Sequence, residues 1–208
     1  MQHSSRRLAG WARAACLGAA GVVLASLIAW AQAGPESARN ATKRFAMRVA
    51  VSGLENPFEI IWGPDGRLWV TERTALRITR VDPSNGERQV AASLAGLASA
   101  PGPGGVLGMA LHPQLLQNAG RDEVYVAVTY DDPSRPPDAR VTNPSSPFRR
   151  LYAKVIRLRY EPSTFALVDP VTILDGLPAG NDHLGLRLAF ASDGTLHLTI
   201  GDQGSNQL

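Results

Sequence analysis

A histidine and two aspartates near the end of the chain have the residue types and the spacing for acid–base chemistry. Asp182 and His183 precede one apolar run, and Asp202 follows the next, within Gly-Asp-Gln-Gly at 201–204. Asp-Gly at 193–194 separates the runs and is a strong hairpin signal, because glycine accepts the positive φ that such a turn needs. The hairpin predicts that His183 and Asp202 lie at the same edge. An aspartate placed there can fix the tautomer of the histidine and stabilise its protonated form, as a general base requires.

This pair also has a structural interpretation. An isolated Asp-His pair near a turn is more often structural than catalytic, so residues 182–183 alone leave both interpretations open. His197 alternates with two leucines and is predicted to face solvent. No His/Cys cluster, phosphate-cradling glycine loop or Ser-His-Asp set can be assembled from the sequence. The other aspartates in turn motifs are predicted to form turns rather than to bind metal, at Asp65-Gly66, Asp82-Pro83 and Asp193-Gly194.

The elements that must position this pair are short strands separated by Gly, Pro, Asp and Asn. Alternation of apolar and polar residues is clear at 67–70 and at 124–128, and no sustained helical periodicity follows residue 33, with at most single helical turns at Leu94–Leu97 and Pro113–Gln117. We predict ten strands: Phe45–Ser52, Phe58–Trp62, Leu68–Glu72, Ile78–Asp82, Val106–Leu111, Val124–Tyr130, Leu151–Tyr160, Val168–Leu174, Leu186–Ala191 and Leu196–Ile200.

A weak internal repeat bears on how these strands are arranged. Residues 62–71 and 190–199 share the pattern aromatic, two spacers, Asp-Gly, any residue, Leu, any residue, apolar, Thr, and residues 111–126 form a longer third copy. Repeated hairpins of this kind build β-propeller blades. An ordinary β-sandwich would also use ten short strands, so the repeat alone leaves both folds open. The proline-rich stretch Asp131–Arg150 cannot pair as a strand and is predicted to be an exposed loop, either at the rim of a site or without a role.

Several co-linear motifs carry a resemblance to a known family. Besides the terminal segment they are Asn56-Pro57, residues 61–73 (Ile-Trp-Gly-Pro-Asp-Gly-Arg-Leu-Trp-Val-Thr-Glu-Arg), residues 80–83 and residues 105–113. Together, from about Val49 onward, they closely resemble the soluble glucose/sorbosone dehydrogenases. These are all-β, six-bladed propellers that oxidise aldose sugars with pyrroloquinoline quinone (PQQ). The resemblance implies the same fold here.

The resemblance also implies roles for individual residues. His183 matches the catalytic base that takes the proton of the anomeric hydroxyl, and Asp202 matches the carboxylate that orients this base. Asp182 and Gln207 match positions that hydrogen-bond the sugar, and Leu208 matches an apolar contact to its ring. Two further matches are structural: His112, predicted to cap a turn, and the Glu72-Arg73 motif, predicted to make an ion pair.

Two departures from the family pattern concern the same region. Pro103 stands where glucose-oxidising members carry a glutamine, and proline cannot make the hydrogen bonds of an amide to a sugar. Specificity for glucose is therefore not expected. The family's Gly-Arg-Leu appears as Leu186-Arg187-Leu188, with Gly185 one place earlier, which is expected to alter how closely the backbone approaches the quinone.

The cofactors implied are PQQ and Ca²⁺, and the family's ligands for both lie in later blades. The strands of this chain make about three of six blades, so we expect residues 34–208 to be the N-terminal half of the propeller and to be inactive alone. The implied partners are an aldose and an external electron acceptor, and a homodimer is consistent with the full-length form. A non-catalytic propeller that binds a sugar or a protein is the second hypothesis, favoured by Pro103.

The first 33 residues have the pattern of a secretory signal peptide. Arg6, Arg7 and Arg13 precede an apolar run, and Ala31-Gln32-Ala33 is a small-residue cleavage site. An uncleaved membrane anchor is the alternative. The net charge of +3 resides in these three arginines, since the remaining chain has 18 basic and 18 acidic residues. The charge therefore gives no indication of nucleic acid or membrane as a partner, and we expect a periplasmic or secreted protein without thiols, because Cys16 lies in this segment.

Overall fold

The computed structural model describes residues 46–202, so the signal-peptide prediction at 1–33 lies outside the described residues. The chain divides into two units, Met1–Arg48 and Val49–Leu208, and the fold below is that of the second. Residues 46–202 contain no helix, and hence none that could span a membrane. The strands are β1 Pro57–Trp62, β2 Leu68–Glu72, β3 Arg77–Val81, β4 Arg88–Ser93, β5 Val106–Leu111, β6 Glu123–Asp131, β7 Leu151–Glu161, β8 Ala166–Pro178, β9 Gly185–Phe190 and β10 Leu196–Ile200.

The strands form three antiparallel sheets in simple sequential order. One four-stranded sheet has the order β1-β2-β3-β4, a second has the order β5-β6-β7-β8, and β9 pairs with β10 in a hairpin. Short turns connect β1 to β2, β2 to β3, β7 to β8 and β9 to β10, whereas residues 132–150 form a long connection between β6 and β7. Each four-stranded sheet is therefore an up-and-down unit of the kind that forms a propeller blade.

The first strands of the three sheets lie side by side at matching heights. Gly108 of β5 lies against the backbone of Leu186 and Arg187 in β9, and the side chain of Arg187 reaches Glu59 in β1. Glu59, Gly108 and Arg187 each stand two residues after the start of their strand. The starts of β1, β5 and β9 therefore lie together at one end of the sheets.

The repeat predicted from sequence is present in the turns. In the β1–β2 turn, the Gly63 N–H donates to the Arg67 carbonyl at 2.8 Å, and in the β9–β10 turn the Ala191 N–H donates to the Thr195 carbonyl at 2.9 Å. Trp62 pairs with Leu68 just as Phe190 pairs with Leu196. The two hairpins are thus built alike.

A buried arginine joins the two four-stranded sheets. The Arg80 guanidinium lies 5.1–5.2 Å from the ring centroids of Trp69, Tyr160 and Phe165 and is paired with Asp65. Trp69 and Tyr160 meet edge to face, with their centroids 5.1 Å apart. Cation–π contacts are strongest when desolvated, and the Arg80 side chain is only 3% exposed. This cluster connects the first sheet to the second.

Two strand predictions were wrong. The described part of the predicted strand Phe45–Ser52 is irregular, and the carbonyl of Ser52, with that of Gly53, accepts hydrogen bonds from the Arg88 side chain rather than from a strand. Strand β4, Arg88–Ser93, was not predicted, because Arg-Gln-Val-Ala-Ala-Ser has a single β-branched residue and no aromatic one. It forms because β3 offers a partner edge along its whole length.

Candidate active site

The structure brings His183 and Asp202 together at the open end of the β9–β10 hairpin. Pairing of the two strands ends at Gly185 and Ile200, and one further backbone bond joins the Gly201 N–H to the Leu184 carbonyl at 2.9 Å. His183 precedes this point and Asp202 follows it. Their side chains therefore meet, with 2.9 Å between Nδ1 and Oδ1. This is the arrangement that the hairpin predicted, and the catalytic role of the pair remains a prediction.

Two carboxylates set the electrostatics of His183. The hydrogen bond with Asp202 raises the pKa of the imidazole, and the negative charges of Asp182 and Asp202 raise it further. Asp182 accepts the backbone N–H of His183 at 2.9 Å, and its Oδ1 lies 3.6 Å from Nε2. A neutral ring that donates from Nδ1 to Asp202 has its lone pair on Nε2. The His183 side chain is 59% exposed.

The backbone that carries His183 has an unusual conformation. His183, Gly185 and Leu186 have positive φ values of 44°, 63° and 66°. Only glycine adopts this region without steric cost, and other residues lose about 1–2 kcal/mol there. Leu186 is nevertheless fully buried in the core between the second sheet and the hairpin. Leucine therefore occupies, in a left-handed conformation, the place where the family pattern has glycine.

Three residues that sequence reasoning missed lie near the starts of the first strands. Glu59 and Arg187 form an ion pair at 3.2 Å, and the Glu59 side chain is only 5% exposed. A Cβ at Gly108 would lie 2.0 Å from the carbonyl oxygen of Leu186, so only glycine lets β5 and β9 approach so closely. A glycine inside a strand is a signal for such an approach. No sequence signal links Glu59 to Arg187, because they belong to different sheets.

The turn that contains Pro103 is held at the same end of the second sheet. Nη1 of Arg73 donates to the carbonyls of Gly102 and Gly104 at 2.7 and 3.1 Å. A Cβ at Gly102 would lie 3.0 Å from Cζ of Phe148, which belongs to the loop 131–150. This loop is mostly exposed, as predicted, and it also packs on the turn that carries Pro103.

The ion pair expected at Glu72-Arg73 has a different partner. Glu72 is bound by Arg77, with Nε–Oε1 and Nη2–Oε2 distances of 2.8 Å, while Arg73 binds the carbonyls just described. Arg77 faces Glu72 across the β2–β3 ladder, whereas Arg73 follows the end of β2. Glu72 therefore pairs with its cross-strand neighbour Arg77 rather than with Arg73, the residue next to it in the sequence.

The structure also shows the surroundings of the other polar residues for which the sequence predicted a role. His112 caps its turn by accepting the Gln114 N–H at Nδ1, 3.1 Å away, and His197 is exposed, both as predicted. The predicted turn aspartates accept backbone N–H groups two residues ahead, at Asp65, Asp82 and Asp193. Gln207 and Leu208, the predicted sugar contacts, lie outside the described residues. Within residues 46–202, no group of three His, Cys, Asp or Glu side chains is arranged to hold a metal ion.

Comparison with known proteins supports the assignment of this fold to one family. The Glucose / Sorbosone dehydrogenase family model matches residues 54–208. Quinoprotein glucose dehydrogenase B of Acinetobacter calcoaceticus is 34% identical over 172 residues, which cover 82% of this chain and 34% of that protein. A PQQ-bound aldose sugar dehydrogenase from Streptomyces coelicolor is 28% identical, with a TM-score of 0.59, over 76% of this chain and 42% of that one. The apo-form of the soluble aldose sugar dehydrogenase of Escherichia coli, 20% identical with a TM-score of 0.57, shares the fold.

The class defined by the sheets and by these structures is an all-β propeller, of which residues 46–202 supply two four-stranded sheets and a hairpin. The chain belongs to the Glucose / Sorbosone dehydrogenase family. It spans about a third of the length of the curated relative and about two fifths of the solved structures.

The residues around His183 fit a sugar hydroxyl better than they fit PQQ. The three carboxylates of PQQ call for cations, yet the charged groups that the described structure places against His183 are the carboxylates of Asp182 and Asp202. Arg187, in β9 four residues after His183, is paired with Glu59. Residues 46–202 thus place carboxylates rather than cations against His183 and do not provide a cradle for the quinone there.

Proposed function

We propose that this chain is the N-terminal part of a quinoprotein sugar dehydrogenase that oxidises the anomeric carbon of aldoses to lactones. PQQ, with Ca²⁺, would accept the hydride, and an external acceptor would take the electrons onward. The observation that carries the proposal is the His183–Asp202 pair in a member of this family. The residues that bind PQQ and Ca²⁺ are proposed to lie in the part of the relatives' length that this chain does not span.

The chemistry assigned to this chain is removal of one proton. Nε2 of His183 accepts the proton of the anomeric hydroxyl, while Asp202 keeps Nδ1 protonated and stabilises the imidazolium that results. Asp182 lies beside Nε2 and is proposed to accept a hydrogen bond from a second hydroxyl. Gln207 and Leu208 are proposed as further sugar contacts.

Substitution of the proposed base tests this function. In a polypeptide of the relatives' length that contains this chain and is loaded with PQQ and Ca²⁺, His183→Gln is expected to lower kcat by roughly 10²–10⁴-fold while the fold is kept. Sugar-dependent dye reduction measures kcat, and circular dichroism shows whether the fold is kept. His197→Gln is the matched control, because His197 is exposed on the same hairpin and is expected to leave kcat unchanged.

The alternative, a propeller that binds a sugar without oxidising it, is favoured by Pro103 in place of an amide side chain. It predicts saturable sugar binding with no dye reduction by the loaded protein. A His183→Gln protein that retains more than about a tenth of kcat would refute the base role, since general bases contribute more than this.

A further inference from the structure

Arg187 of β9 links the three first strands close to the candidate site, because it lies against Gly108 of β5 and reaches Glu59 of β1. Glu59, Gly108 and Arg187 stand at the same height in β1, β5 and β9. The Arg187 side chain spans from β9 to Glu59, with 3.2 Å between Nη2 and Oε1. The ion pair therefore connects the first sheet directly to the hairpin that carries His183.

The Glu59 end of this connection is rigidly held. The carboxylate is buried, and the Glu59 N–H donates to Oγ1 of Thr71 at 2.9 Å. The Thr71 hydroxyl in turn donates to the Leu107 carbonyl of the second sheet at 2.8 Å. The Arg187 side chain is 71% exposed, so the constraint comes from Glu59: a buried carboxylate without a partner is costly, and conformations that keep Arg187 beside it are favoured.

Gly108 supplies the second half of the arrangement. A Cβ at this position would lie 2.0 Å from the Leu186 carbonyl oxygen and 2.8 Å from the Arg187 Cα. The absence of a side chain thus lets the start of β9 lie directly against β5. This is where Leu186 holds its positive φ, three residues after His183.

We propose that Glu59 and Arg187 are positioning residues, which hold the left-handed conformations of His183, Gly185 and Leu186 so that His183 stays in contact with Asp202. Backbone conformations of this kind persist only where the surrounding structure determines them. The Glu59–Arg187 ion pair and the close contact at Gly108 provide this constraint on the backbone. The effect of these residues on the position of His183 does not depend on the reaction. Only the consequence of this positioning for catalysis rests on the proposed function.

The sign of a change in the pKa of His183 separates positioning from simple electrostatics. Arg187→Met removes a positive charge, which by charge alone would raise the pKa of the imidazole. If Arg187 instead holds the backbone, its loss lengthens the contact with Asp202, and the pKa falls toward the ordinary histidine value of about 6.5. The other charged groups facing the ring are Asp182 and Asp202, and both remain in this variant.

The experiment is a proton NMR titration of histidine Cε1–H in the 208-residue chain, with His183→Gln used to assign the signal. Arg187→Met is expected to lower the pKa of His183, and Arg187→Lys to restore most of it. Arg159→Met is the matched control, since it breaks an ion pair with Asp169 on the distant β7–β8 edge and should leave the titration unchanged. A rise or no change in Arg187→Met would overturn the proposal.

Gly108→Ala provides an independent variant if Arg187→Met fails to fold, because it changes no charge while its Cβ must displace the start of β9. It is expected to lower the pKa of His183. An unchanged pKa in Gly108→Ala would refute the proposal. This readout needs neither PQQ nor sugar, so a failure of the dehydrogenase assignment would leave it intact.

Discussion

His183 is governed at the residue scale by its two neighbouring carboxylates. Asp202 accounts for the largest part of the raised pKa of the imidazole, through its hydrogen bond. Asp202→Asn is therefore expected to lower this pKa and to shift the acidic limb of the pH–rate profile to lower pH, because a neutral partner no longer favours the imidazolium. The loss in kcat should be smaller than in His183→Gln, since the base is retained. Asp193→Asn, in the turn of the same hairpin, is the control that should leave the profile in place.

The presence of Pro103 leads to a prediction about the substrates of the PQQ-loaded protein. The proline offers no amide to a sugar, and Arg73 and Phe148 hold its turn through the neighbouring glycines. We expect broad activity on aldoses, without a sharp preference for glucose. Steady-state kcat/KM values across a panel of aldoses test this. A glucose preference of about two orders of magnitude, or about 2.7 kcal/mol, would contradict it.

Glu72 has the clearest effect on stability at the scale of a single element. Burial raises the pKa of Glu72, but hydrogen bonds from Arg77, Thr79 and the Glu55 N–H outweigh this and bring it to about 2. Because the folded pKa lies below the ordinary glutamate value of 4.5, the stabilisation is complete above pH 4.5 and is lost as the pH falls toward 2. We expect Glu72→Gln to cost about 1.5–3 kcal/mol at neutral pH.

The measurement is chemical denaturation at a series of pH values. The difference in free energy of unfolding between the wild type and Glu72→Gln should shrink as the pH falls from 4.5 toward 2. Glu87→Gln serves as the control, since its carboxylate is exposed and lies 3.8 Å from Arg67. A difference that stays constant down to pH 2 would show that the charge of Glu72 does not contribute.

The elements themselves were largely predictable from local patterns. The β9–β10 hairpin and its Asp-Gly turn follow from alternation and turn chemistry, and they sufficed to bring His183 to Asp202. Strand β4 was not predictable, because its pairing with β3 rather than its own composition makes it a strand. The Glu59–Arg187 ion pair depends on how separate sheets pack, which no local pattern records.

At the scale of the whole molecule, Arg80 decides how firmly the two four-stranded sheets hold together. Arg80→Met would keep much of the contact with Trp69, Tyr160 and Phe165 but remove the cation paired with Asp65, which keeps only hydrogen bonds from the Trp69 indole and the Arg67 N–H. We expect a loss of about 3 kcal/mol or more, as when one member of a buried ion pair is removed. Urea denaturation followed by tryptophan fluorescence measures it. Arg88→Met, which affects only exposed carbonyl contacts, should cost far less, and equal losses would contradict the proposed importance of Arg80.

Strand β8 has a consequence for the behaviour of the protein in solution. It forms one border of the second sheet and exposes Val171, Ile173 and Leu174. A long apolar border strand is ordinarily a template on which other chains aggregate. Its pairing with β7 is interrupted by three register shifts, and Asp169 and Gly176 within it have positive φ. These irregularities break the continuous row of free N–H and C=O groups that an incoming strand would need, so the least protected surface of the second sheet is also its least regular one.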